Sequence, residues 1–266
     1  MTAAAIASIV VVTNLFGRLA VDTHGARAVS YAPAGGEEVF ATFSDGTGGM
    51  PLCWPWFGDG PEGGRRHGIA RYEDFAMARK EESSEVSELE LRLDSSCRTK
   101  HVFDRDFSLS VVFRIDEEGL SVSMAAHNTG TELFTVTEAF HPYFAVSEAS
   151  QCRVELNGEV MDVQCDGSHR CRIEKHGASY ALVDPAGGRY MDIASTGAPD
   201  MLVWNPGPRP AVGAKITSRL APDDWHRFVC VENGAFGDRS AYVLAPGQEH
   251  TLSIRISEHK TKGSIR

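Results

Sequence analysis

Apolar and polar residues alternate with a period of two along most of the chain. Glu88-Leu89-Glu90-Leu91-Arg92-Leu93 puts three leucines on one side of an extended backbone and three charges on the other, as a strand with one wet face requires. Ser108–Ile115, the acidic stretch Asp116-Glu117-Glu118-Gly119 and then Leu120–Asn128 predict a hairpin of two half-buried strands. Thr251–Ile256 repeats the alternation near the C-terminus, and Tyr180–Val183, Arg189–Ile193, Met201–Trp204 and Phe228–Val231 are further strand candidates. Ile9-Val10-Val11-Val12 is β-branched and suits a first strand. No window carries a sustained 3.6-residue apolar stripe; a helical turn is predicted only around Pro222–Arg227, with Asp223 as its cap. Strands recurring about every ten residues between Gly, Pro and Asp predict an all-β antiparallel sandwich or barrel. Gly46–Gly68 is rich in glycine and expected to be nearly structureless, and long loops in compact domains are often functional. Without repeats or linkers, one domain is expected over residues 1–258, followed by a polar, frayed tail over 259–266.

Composition narrows the classes. The chain has 266 residues, 42% hydrophobic and 23% charged, enough for a sizeable core and too apolar for global disorder. A formal net charge of -10 argues against a nucleic-acid partner, which would call for a basic face. It leaves room for a small anion, because Arg65, Arg66, His67 and Arg71 form a local basic cluster. None of the six cysteines forms a C-x-x-C pair or a structural zinc spacing, which fits reduced thiols in a cytoplasmic protein. The N-terminal apolar run lacks a positive n-region, and no stretch approaches the roughly 20 apolar residues of a membrane span. A soluble monomer or weak homodimer is therefore expected.

Three segments carry candidate chemistry. Gly48–Gly58 holds Trp54, Pro55, Trp56 and Phe57, and Arg66, His67 and Arg71 follow. Aromatic faces beside hydrogen-bond donors suit a sugar, whose C–H faces are apolar and whose rim is hydroxyl; a core tryptophan cluster reads equally well. In Thr137–Phe144, His141 shares a strand face with Thr137 and Ala139, opposite Glu138, and stands before Pro142, where a ladder ends. A histidine there could be a general acid, a metal ligand or a packed side chain, though no second histidine at ligand spacing supports a metal. Phe228–Gly234 is an apolar strand ending in Glu232 before a turn. Partial burial would raise its pKa into the range useful for a base.

Taken in order, these segments resemble the glucose-6-phosphate 1-epimerases (hexose-6-phosphate mutarotases), relatives of the aldose 1-epimerases. The matching stretches are Gly48–Gly58, His67–Arg71, His141-Pro142-Tyr143-Phe144, Val203-Trp204-Asn205-Pro206 and Val229-Cys230-Val231-Glu232. The resemblance implies an antiparallel β-supersandwich of the galactose mutarotase-like kind, no cofactor, no metal, and a sugar or sugar phosphate as substrate. It implies His141 as acid and Glu232 as base, with His67, Arg71, Asp184, Trp56 and Arg66 at the substrate. Mutarotation needs only two such groups: one takes the C1 hydroxyl proton while the other protonates the ring oxygen, and the roles reverse on closure.

The chain departs from the family pattern at three places. Thr47 stands where an arginine that helps hold the phosphate often precedes Gly-Gly, leaving Arg65, Arg66 or Lys215 to compensate. Ser218-Arg219-Leu220 replaces a usual aspartate, and Pro142 a small polar residue. Other readings are an aldose 1-epimerase for an unphosphorylated sugar, a non-catalytic sugar-binding module, and a glycosidase pairing Glu138 with Glu232, which requires the carboxyls to lie within about 5–9.5 Å.

Overall fold

The structure, a computed structural model, describes residues 8–44, 46–61, 64–173, 179–208 and 220–261. Among them, two large antiparallel sheets pack face to face, and they differ in how their strands are buried. The nine-stranded sheet runs in the spatial order Glu159–Asp162, Arg153–Leu156, Ser179–Asp184, Arg189–Thr196, Glu249–Lys260, Gly119–Asn128, Phe107–Asp116, Ser87–Asp94, Ala76–Glu82. Its central strands alternate as the sequence predicts. Leu109, Val111, Phe113 and Ile115 point into the core while Ser110, Val112 and Arg114 face outward. Gly119 closes the predicted hairpin opposite Asp116 at φ +112, where a side chain would collide with the Ile256 carbonyl.

The six-stranded sheet is covered on both sides. Its order is His169–Ile173, Asp200–Trp204, Phe228–Gly234, Ala139–Phe140, Leu52–Cys53, with Tyr143–Ala145 also paired to Phe228–Gly234. Every residue of Phe228–Gly234 and of Asp200–Trp204 is buried. Alternate residues serve two different clusters. Val229, Val231, Met201 and Val203 join the main core between the sheets. Phe228, Cys230, Leu202 and Trp204 join Phe43 and Tyr143 in a second cluster on the far face. A strand buried on both faces reads as a continuous apolar run, so its period of two does not show.

Several expectations shift. The described residues of Gly46–Gly68 are not structureless: Leu52–Cys53 pairs with Ala139–Phe140, and single bridges tie Thr42 to Gly48, Ala28 to Met50 and Trp54 to Gly68. Gly68 permits the last of these, since at φ +84 any side chain there would strike the Trp54 carbonyl. His259 and Lys260, expected in the tail, still pair with Tyr190 and Arg189, and His259 stacks on Tyr190 at 4.9 Å. Near residue 222 the helical turn is a 3-10 turn, Asp224–Arg227, and Asp223 makes no side-chain cap. The Asp224 carboxylate instead accepts the Ala221 N–H at 2.8 Å. A short helix unforeseen in the sequence, Cys97–Lys100, starts at Ser96, whose hydroxyl and backbone exchange hydrogen bonds with Thr99. Lys215 and Arg219 lie outside the described residues. No described helix is long and apolar enough to cross a membrane.

Candidate active site

The register of the six-stranded sheet creates the site. Phe140 pairs with Asn233, and Tyr143 pairs with Cys230 on the same strand. One step from Phe140 and one from Asn233 set His141 opposite Glu232. Directly opposed residues of an antiparallel pair project on the same face. Pro142 has no N–H to give the ladder, and the His141 N–H donates instead to Pro51 O at 3.0 Å. The result is a His141 Nε2 to Glu232 Oε1 distance of 3.4 Å, with both side chains almost wholly buried. Glu232 does not mark the end of its strand, which continues to Gly234; the carboxyl lies within the sheet, 1% exposed.

Burial decides the protonation of this pair. It pushes Glu232 up to about 8, against the pull of the Arg71 and Arg66 charges. It pushes His141 down to about 3, and the positive Arg71 adds to that. At neutral pH the pair therefore shares one titratable proton, resting on the carboxyl. Among the described residues, Glu232 Oε2 and His141 Nδ1 are buried without hydrogen-bond partners. Such atoms are costly unless something satisfies them, and a hydroxylated ligand would. The His141 ring lies flat against Tyr143, with centroids 5.0 Å apart and planes at 12°.

His67 stands edge-on to His141, with ring centroids 5.6 Å apart at 90°. It is buried, and burial together with Arg71 holds its imidazole far below the usual range, hence neutral. Its backbone is left-handed, φ +64, an unusual state for a residue with a side chain and one that clusters at functional sites. The Gly58 N–H reaches His67 Nδ1 at 3.2 Å, and Arg66 Nε reaches Nε2 at 3.0 Å. Arg66 also pairs with Asp59 at 3.0 Å. Arg71 is half-buried and fixed by hydrogen bonds from Nε to Leu52 O (3.0 Å) and from Nη2 to Cys53 Sγ (2.9 Å).

Two expected site residues stand elsewhere. Asp184 lies in the nine-stranded sheet at the turn joining Ser179–Asp184 to Arg189–Thr196. Its oxygens accept the Ser147 and Gly187 N–H groups at 2.9 and 3.0 Å, with Arg189 at 3.8 Å, so the carboxylate is committed to closing that turn. Trp56 donates its indole N–H to Arg65 O at 2.9 Å, and side chains at Gly60 or Gly64 would strike its ring. Trp56 thus packs against Gly60 and Gly64, and Trp54 is wholly buried against Phe107. The aromatic ring beside His67 is Phe57, 4.8 Å from it and 4.7 Å from Phe236. Glu138 turns its carboxyl toward His250, 2.6 Å away, which leaves an imidazole rather than a carboxyl as the neighbour of Glu232. Arg65 lies over the Tyr72 ring at 4.7 Å. His169 is a residue the sequence did not flag: it pairs with Trp204 and stacks on it at 6.1 Å, at the exposed edge of the site sheet. Its segment, His169-Arg170-Cys171-Arg172-Ile173, has no apolar alternation to announce a strand. Among the described residues, no group of three or more His, Cys, Asp or Glu side chains is placed to hold a metal ion.

An antiparallel supersandwich whose inner sheet sets a buried imidazole–carboxyl pair among aromatic rings is a galactose mutarotase-like fold, and solved structures bear this out. A provisionally named mutarotase, YeaD, of Salmonella typhimurium superposes with a TM-score of 0.82 at 24% identity, covering 95% of this chain and 90% of that one. A galactose mutarotase-like protein of Lactobacillus casei gives 0.76 at 17% identity, covering 95% and 100%. The chain belongs to the aldose 1-epimerase family, whose model matches residues 13–175, and it is an epimerase. Among its relatives, a protein of Escherichia coli K12 provisionally named a glucose-6-phosphate 1-epimerase is 28% identical over 261 residues, covering 88% of this chain and 85% of its own. One of Cenchrus ciliaris with the same provisional name is 25% identical, covering 88% and 79%.

Proposed function

We propose that this protein interconverts the α and β anomers of a hexose 6-phosphate, glucose 6-phosphate in the first place, with His141 as acid and Glu232 as base. The observation that carries the reading is the buried pair in register at 3.4 Å, holding one proton between two groups. Ring opening needs one protonated and one deprotonated partner, and a one-proton pair supplies both in either direction. A sugar hydroxyl donating to the orphan Oε2 of Glu232 favours the carboxylate, and the proton then passes to His141. Glu232 takes the C1 hydroxyl proton, His141 protonates the ring oxygen, the C1–C2 bond turns, and closure reverses both transfers. In this reading His67 and Arg71 contact the sugar, and Arg66 leaves Asp59 and His67 to meet the phosphate. An unphosphorylated aldose is the second reading, because Thr47 replaces the family arginine and Arg65 is engaged with Tyr72.

The test follows the relaxation of freshly dissolved α-glucose 6-phosphate by NMR with and without the protein, beside α-glucose and α-galactose. Acceleration of the phosphate alone is expected. Acceleration of the free sugars alone would move the substrate and keep the mechanism. Saturable binding of sugars with no acceleration would reject the reading.

A further inference from the structure

His67 is asked to accept two hydrogen bonds. The Gly58 N–H points at Nδ1 from 3.2 Å, and Arg66 Nε points at Nε2 from 3.0 Å. A neutral imidazole carries a hydrogen on one nitrogen and a lone pair on the other, so it satisfies one donor at a time. Two donors thus compete for one lone pair, and they differ in mobility. Gly58 is held in place by one backbone bond, the His67 N–H donating to Gly58 O at 2.7 Å. Arg66 is a side chain 46% exposed, and its other anchor, Asp59, is 88% exposed. The backbone donor stays and the guanidinium can leave.

We propose that Arg66 is a displaceable cap on His67, and that an anionic group on the substrate draws it off and so switches the imidazole from acceptor to donor at Nε2. With the guanidinium in place, Nε2 must be bare and Nδ1 carries the proton, against the Gly58 N–H. Once an anion takes the guanidinium, the proton moves by exchange with water from Nδ1 to Nε2, with no net gain or loss. Nδ1 then accepts from Gly58, and Nε2–H is free to donate to a sugar oxygen beside His141, whose ring lies 5.6 Å away. Arg66 thereby determines specificity in two ways: it binds the anion, and its departure readies His67. The preference for an anionic sugar should appear in kcat as well as in KM.

This inference rests on the sugar-phosphate reading above, but one arm of its test does not. Protein labelled with ¹⁵N-histidine is titrated with inorganic phosphate, and the His67 tautomer is read from two-bond ¹H–¹⁵N spectra, assigned with a His67→Gln variant. The expected result is Nδ1–H in the free protein and a saturable change to Nε2–H with phosphate. In Arg66→Ala, Nε2–H should be present from the start and phosphate should leave it unchanged. An Nε2–H tautomer in the free wild-type protein, or no change at saturating phosphate, would overturn the proposal. The kinetic arm compares sugars: Arg66→Ala should lower the ratio of kcat for glucose 6-phosphate to kcat for glucose at least ~10-fold, the loss of about one charge-assisted hydrogen bond. An unaltered ratio would equally overturn it. If neither sugar is turned over, the functional reading fails and the phosphate titration still decides the switch.

Discussion

At the scale of single residues, the site combines groups that burial has displaced from their ordinary charge states. Glu232→Gln and His141→Ala should each lower the anomerisation rate by about 10²–10⁴-fold, the usual worth of a positioned acid or base. Binding measured by titration should change little. Because the pair loses its first proton near 3 and its last near 8, kcat/KM should stay level across that window and fall above about pH 8. A limb near pH 6.5 instead would mean that His141 titrates as a free imidazole. The same shift has a stability sign. Glu232 is raised from 4.5 to about 8 on folding, so its contribution is fully present below pH 4.5 and lost as pH rises through 8. Glu232→Gln should therefore raise Tm at pH 9 and leave it nearly unchanged at pH 4, by roughly 2–4 °C for each kcal/mol recovered. His67 offers a backbone test: at φ +64, His67→Gly should be more stable than His67→Ala by about 1 kcal/mol in urea unfolding, reversing the order expected for an extended strand.

At the scale of elements, the segments that carry His141 and Glu232 are each tied to the other sheet by buried polar groups close by. Behind Glu232, Asn233 accepts from Tyr180 OH at 2.5 Å and donates to Ser195 Oγ at 3.2 Å. Near His141, Glu138 meets His250. Tyr180→Phe leaves the Asn233 oxygen without that donor and should cost about 1–3 kcal/mol in urea unfolding, without loss of secondary structure by circular dichroism. No change in the unfolding midpoint would show that this bond is exchanged freely for water. These ties also explain what the sequence hid. Glu232 and Asn233 look like the polar end of a strand, so the apolar run stops at Val231, whereas the ladder runs to Gly234. Alternation reports a strand only when one face is wet, as in Ser87–Asp94 and Phe107–Asp116, which were legible almost to the residue.

Over the whole molecule, the sandwich brings together segments some 90 residues apart, and the same economy of polar groups governs sheet and site. The chain by itself determined the all-β class, most strand positions in the nine-stranded sheet, and His141, Glu232, His67 and Arg71 as residues able to do acid–base and polar work. These follow from local physics: the two-residue period of strands, the turn preferences of glycine and proline, and the chemistry of side-chain types. Tertiary structure alone decided that His141 faces Glu232, since that depends on the pairing Phe140–Asn233 and Tyr143–Cys230. It also decided that Asp184 closes a distant turn, that Trp56 packs against Gly60 and Gly64 while Phe57 borders His67, and that His169 stands at the edge of the site sheet. Which atoms lose water, and therefore which way each pKa moves, is set by neighbours from other strands, and no residue carries that information in its own identity.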